Sequence, residues 1–123
     1  MNKQSIMSQL QKKYPGKNIV LNNEEHPTEI ICETDPASGH PDNSIAVAVI
    51  DQSIPHYHIK ATETYKVLKG DLTVQKGDES VQLKQGDELT IEPGIIHSAI
   101  GNAAWVEVRS EPGWAVEDHI EVV

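Results

Sequence analysis

The stretch PHYHIKATETYKVLKG, Pro55 to Gly70, decides the reading of this chain. Side chains of a β-strand alternate between faces, so His56 and His58 project together while Tyr57 projects the opposite way. Two imidazoles so placed can share one ion. Glu63 lies an odd number of residues beyond His58, and a straight strand would turn it to the wrong face, so the intervening residues must turn or bulge. A strand restarting after that turn carries Glu63, Tyr65 and Val67 on one side. A further imidazole, His97, follows the bend in EPGII and arrives from a distant strand when the chain folds.

The flanking sequence has the same character. Short β-branched runs (NIVL, TEIICE, SIAVAVID, IPHYHI, TYKVL, LTVQ, VQLK, ELTIE, HSAI and WVEV) are divided by turn residues. A polar loop spans Pro36 to Asn43, tight turns are expected at Gly70-Asp71, Gly77-Asp78 and Gly86-Asp87, and another at Gly101-Asn102. Strands at this spacing predict an all-β sandwich or barrel. SIAVAVI is apolar on both faces and belongs at the centre, whereas DLTVQK and SVQLKQ alternate and leave one face to solvent. Before the strands, Ile6, Met7, Leu10 and Tyr14 recur at helical intervals and Pro15-Gly16 closes the run, which predicts one short N-terminal helix packed on the barrel. The tail, with Trp114, is expected to be held by packing.

Length and composition set the frame. The 123 residues suit one domain, 1–123, with a helical extension over about 1–16 and the motif-bearing barrel core over about 44–110. Hydrophobic residues make up 37% and charged residues 24%, a soluble globular composition. No apolar run reaches the roughly 20 residues of a membrane span and no secretion signal opens the chain, so a cytoplasmic protein with no membrane partner is expected. Ten basic against nineteen acidic residues give a net charge of −9, which argues against nucleic acid as a partner. Cys32 is the single cysteine, so an internal disulfide and a multi-thiolate metal site are both excluded.

Any metal must therefore be held by nitrogen and oxygen. Three imidazoles and one carboxylate form a donor set suited to one divalent transition metal (Fe, Mn, Ni, Zn, Co or Cu), with positions left open for a ligand. An isolated His-x-His pair more often marks histidines that face water or make an ordinary hydrogen bond. The complete spacing is more specific. It resembles the cupin family, whose first motif, G-x5-H-x-H-x3or4-E-x6-G, is met by His56, His58, Glu63 and Gly70, and whose second, G-x5-P-x-G-x2-H-x3-N, is met by Gly86, Gly94 and His97. The resemblance implies a double-stranded β-helix, the small jelly-roll barrel, with His56, His58, Glu63 and His97 as metal ligands. Ile50 replaces the opening glycine, Glu92 stands at the proline position with Pro93 following, and Gly101 stands at the asparagine position with Asn102 following. These departures touch turns and leave every donor in place.

Around those four, Tyr65 shares the face of Glu63 and is a candidate hydrogen-bond partner or pocket wall. Trp105, Glu107 and Arg109 alternate along one strand, and Glu107 and Arg109 either line the pocket or face water; an inward Arg109 would suit a carboxylate substrate. His26, His40 and His119 lack partners at ligand spacing and read as surface residues. The expected function is that of a metal-dependent enzyme acting on a small oxygen-rich molecule, of dioxygenase or of isomerase or lyase type; the alternative is a small-molecule binding or sensing protein without turnover. Strand edges at the barrel ends further predict a homodimer.

Overall fold

The computed structural model describes residues 1–122. One helix, α1 (Lys3–Lys13), precedes ten strands: β1 (Asn18–Leu21), β2 (Glu29–Asp35), β3 (Ser44–Gln52), β4 (His56–His58), β5 (Thr62–Lys69), β6 (Leu72–Lys76), β7 (Glu79–Leu83), β8 (Glu88–Ile91), β9 (His97–Glu111) and β10 (His119–Glu121). Every strand pairing is antiparallel. The path β1-β2-β3-β9-β4-β10 forms one layer, and β5 with β8 and β6 with β7 attach through β9, so the sheet curls on itself into the jelly-roll barrel. Among the described residues no helix is long and apolar enough to cross a membrane.

Strand β9 is the hinge of this arrangement, and it corrects the expectation of two strands separated by a turn at Gly101-Asn102. The strand runs unbroken through that point. Its first half pairs with β6, Lys76 opposite His97 and Leu72 opposite Gly101, and its second half pairs with β3 and β5. The change of partners is absorbed by register shifts near Ile50–Gln52 and Val67–Lys69 and by the positive φ of 50° at Ala103. A bulge of this kind turns a strand from one sheet into the other without ending it. The turns at Gly70, Gly77 and Gly86 do occur, each glycine having a positive φ.

The core is split by the sheet. On one side α1 buries Ile6 and Leu10 against Ile30, Cys32, Val47, Val49 and Trp105. Asn2 caps this helix, its side-chain oxygen accepting from the Ser5 N–H at 3.0 Å. Removing the Leu10 side chain there would cost about 2 to 5 kcal/mol. On the other side, inside the barrel, Ile50, Val67, Leu72, Val74, Ile91 and Val106 are packed together. Further along the same strands a cavity opens, lined by Ala48 and Ala46 of β3 and by Val108 and Ser110 of β9, with Ala48 and Val108 also bordering the packed cluster. One end of the barrel is thus solid and the other hollow.

Candidate metal centre

At the boundary between the solid and hollow halves, four polar side chains converge. His56, His58, Glu63 and His97 are all buried, and one donor atom from each lies within 4.8 Å of the other three. The strands explain the convergence. His56 and His58 are the two same-face residues of β4, His56 stands opposite His97 on β9, and Glu63 is the second residue of β5, opposite Ser110. The bend between β4 and β5 is set from the far end of the chain: the Asp118 carboxylate accepts the Lys60 N–H at 2.8 Å and the Ala61 N–H at 3.1 Å. This clamp resolves the odd spacing between His58 and Glu63.

Hydrogen bonds orient the rings. His56 donates its Nδ1–H to the Ile54 carbonyl at 2.8 Å, and His97 donates its own to the Ile95 carbonyl at 2.9 Å. Both leave Nε2 directed at the cluster in the tautomer that ligates a metal. A single oxygen, Glu63 Oε1, lies 3.0 Å from His58 Nε2 and 3.1 Å from His97 Nε2. His58 Nε2 is nevertheless a buried polar atom with no aligned hydrogen-bond partner. A buried donor set of this composition with an unsatisfied imidazole nitrogen at its centre fits a divalent ion, which would supply the missing partner.

The electrostatics are those of a cluster closed around its carboxylate. Burial raises the Glu63 pKa, but the imidazoles of His58 and His97 outweigh it and hold the group at about 2. Burial depresses the His56 pKa to about 4, with the neighbouring His97 acting in the same direction. For His58 burial also works downward, yet the adjacent Glu63 carboxylate prevails and the pKa is raised. Tyr65, fully enclosed beside the cluster with its ring 6.0 Å from that of His97, has its pKa raised well above the ordinary value by burial.

The cavity in front of the cluster has a volume of about 200 Å³, and His56, Glu63 and Tyr65 form part of its wall. Glu107 and Arg109 do not reach it. Their neighbours Val108 and Ser110 take the inward positions of β9, while Arg109 Nε bonds Glu107 Oε1 at 2.8 Å on the outer surface. Alternation along β9 fixes this outcome. Trp105, on the same outer face, packs beneath α1.

Two residues enter the site that the sequence reading left outside it. His119, expected at the surface, is brought in by β10, which pairs with β4 so that His119 stands opposite His58. Its ring stacks on that of His56, and burial lowers its pKa. His26 stays exposed, and His40 pairs with Asp35 at 2.6 Å away from the site. The second is Glu29, which lies on the same face of β2 as Ile31 and Glu33 and lines the cavity. Burial, reinforced by the charge of Glu63, raises its pKa to about 7. The alternation of Glu29, Ile31 and Glu33 was visible in TEIICE, but a carboxylate at a strand end ordinarily faces water.

A curled antiparallel barrel with a buried three-histidine, one-glutamate cluster defines a cupin with a candidate metal site. The chain belongs to the cupin-domain family (Cupin_2), which matches residues 36–119. Among solved structures it is similar to Pac13 from Streptomyces, a nucleoside dehydratase, with 14% identity and a TM-score of 0.75 over 89% of this chain and 87% of that one. It is similar also to KdgF from Halomonas sp., with 18% identity and a TM-score of 0.66 over 75% of this chain and 87% of that one. Oxalate decarboxylase from Bacillus subtilis shares 15% identity and a TM-score of 0.74, covering 89% of this chain and 31% of the larger protein. At these identities the likeness is one of fold. No curated protein sequence matches the chain.

Proposed function

We propose that His56, His58, Glu63 and His97 hold one divalent transition metal, and that the protein is a metal-dependent enzyme of isomerase or lyase type acting on a small oxygen-rich molecule. The observation that carries the reaction type is Glu29. Its carboxyl lines the same cavity as His56 and Glu63, and its pKa of about 7 suits proton exchange near neutrality. Glu63 is occupied within the cluster, so Glu29 is the carboxyl near the cluster that faces the space a substrate would fill. The metal, when bound, supplies Lewis-acid polarisation of a substrate oxygen. Glu29 then takes or returns the proton, Tyr65 closes the wall beside the cluster, and the apolar strands behind exclude water. Fold likeness does not choose the reaction, since a dehydratase and a decarboxylase share this architecture.

The test is element analysis of protein purified without added metal, followed by incubation of the loaded protein with hydroxy-carbonyl compounds in D2O and in an oxygen electrode. Deuterium incorporation that is lost in Glu29→Gln supports the proposal. Oxygen consumption would replace it with the dioxygenase reading, and binding of these compounds with neither exchange nor consumption would favour a sensor without turnover.

A further inference from the structure

The cavity wall has a one-sided charge. It includes the carboxylates of Glu29, Glu33 and Glu63, and no lysine or arginine among the described residues. Arg109, the residue that could have gripped a carboxylate from β9, is on the outer surface bonded to Glu107. Three hydroxyls also lie in the wall, those of Ser44, Tyr65 and Ser110. Ser44 Oγ accepts the Trp114 N–H at 2.9 Å, and Ser110 Oγ donates to the Pro112 carbonyl at 2.7 Å. The formal charge that the wall offers a ligand beyond the cluster is negative, carried by carboxyl groups. The rim adds a half-exposed Trp114, whose ring lies 5.9 Å from that of His119. Such a rim suits a flat or ring-shaped body.

We infer that this site takes a small ring-bearing molecule whose end remote from the metal carries hydrogen-bond donors, hydroxyl or ammonium, and that it excludes molecules carrying a carboxylate or phosphate there. The inference rests on the proposed metal centre for the near end of the ligand only. A divalent ion with Glu63 keeps about one positive charge, which draws oxygen donors inward. Away from the cluster the field reverses, because Glu33 stands on the inward face of β2 beyond Ile31, while Glu29 lies nearer Glu63, and no lysine or arginine among the described wall residues balances it. Asn18 Nδ2 donates to Glu33 Oε1 at 2.8 Å, which holds that carboxylate in place without neutralising it. An acidic group entering this space loses its water and meets like charge, whereas an ammonium or hydroxyl finds an acceptor.

Three probes separate these cases, since catechol, 3,4-dihydroxybenzoate and dopamine share one pair of chelating oxygens and differ in the charge of the opposite end. Binding is measured by calorimetry, without oxygen, to the zinc-loaded protein and to the metal-free protein. The expected order is dopamine at least as tight as catechol, and both about tenfold or more tighter than 3,4-dihydroxybenzoate. Glu33→Gln should narrow the gap between dopamine and 3,4-dihydroxybenzoate to a few-fold while zinc stoichiometry is retained. Equal or tighter binding of 3,4-dihydroxybenzoate, or no binding of any probe to either form, overturns the inference. Failure of the protein to take up zinc overturns the metal assignment separately, and the same order of probes is then expected in the metal-free cavity.

Discussion

The imidazole of His119 lies flat on that of His56, with ring centroids 4.3 Å apart and planes 21° from parallel. The two residues are separated by about half the chain, and the contact exists because β10 closes onto β4. His56 is thereby fixed from two sides, by the Ile54 carbonyl at Nδ1 and by the His119 face.

If His119 orients His56, His119→Ala should weaken zinc binding by about tenfold, in the range typical of groups that support metal ligands. His119→Phe, which keeps a flat ring, should restore most of that loss. Competitive titration with a chelator measures both, and equal weakening in the two variants would show that stacking is not the cause.

Proton competition for the metal should begin at His58. The Glu63 carboxylate raises its pKa, whereas burial lowers that of His56 to about 4, so as pH falls through the neutral range and below, His58 takes a proton before His56 does and the metal must displace it. Zinc affinity is expected to fall as pH drops through that range, by up to about tenfold per pH unit while one proton is displaced. An affinity constant between pH 8 and pH 5 would contradict the ligand assignment.

Glu29 gives the metal-free protein the opposite pH dependence. Its pKa is near 7 when folded against 4.5 as the reference, so the folded state binds the extra proton. The associated stability is fully present below pH 4.5 and is lost as pH rises through 7. Glu29→Gln should therefore be more stable than the parent at pH 8, by about 1 to 3 kcal/mol, and little different at pH 4. Denaturant titrations at the two pH values decide this, and a variant less stable than the parent at pH 8 would mean that the carboxylate has a stabilising partner.

Gly113 permits the tail to approach the barrel. A Cβ there would lie 2.4 Å from Ala37 Cβ and 3.0 Å from the Asn43 carbonyl oxygen, and the Gly113 N–H donates to the Pro41 carbonyl at 2.9 Å. Gly113→Ala must push the tail outward, at a cost of about 1 to 3 kcal/mol. Because Trp114 and His119 follow, the same variant should loosen metal binding. A thermal melt at unchanged temperature would show that the approach can relax freely.

The strands at the two ends of the main layer, β1 and β10, each pair on one side only among the described residues, and Ile54, Ile59 and Val116 are exposed hydrophobic residues of the segments around β4 and β10. A homodimer covering this edge is expected, and light scattering at increasing protein concentration tests it. A monomer throughout would remove the expectation.

Much of this protein is written in local pattern. Period-two alternation identifies β5, β6 and β7, helical spacing identifies α1, and the spacing of His56, His58, Glu63 and His97 marks the cluster because strand geometry makes side-chain direction a function of residue number. The charge and the single cysteine limit the ligand chemistry before any folding is considered. What such patterns do not carry is which of two alternating faces turns inward, and which distant segments meet. Burial on folding chose Val108 and Ser110 over Glu107 and Arg109, and strand pairing at long range brought His119 onto His56 and left Glu29 facing the cavity. Those contacts depend on how the sheet curls and on β9 passing from one half of it to the other, and no short window of residues encodes that path.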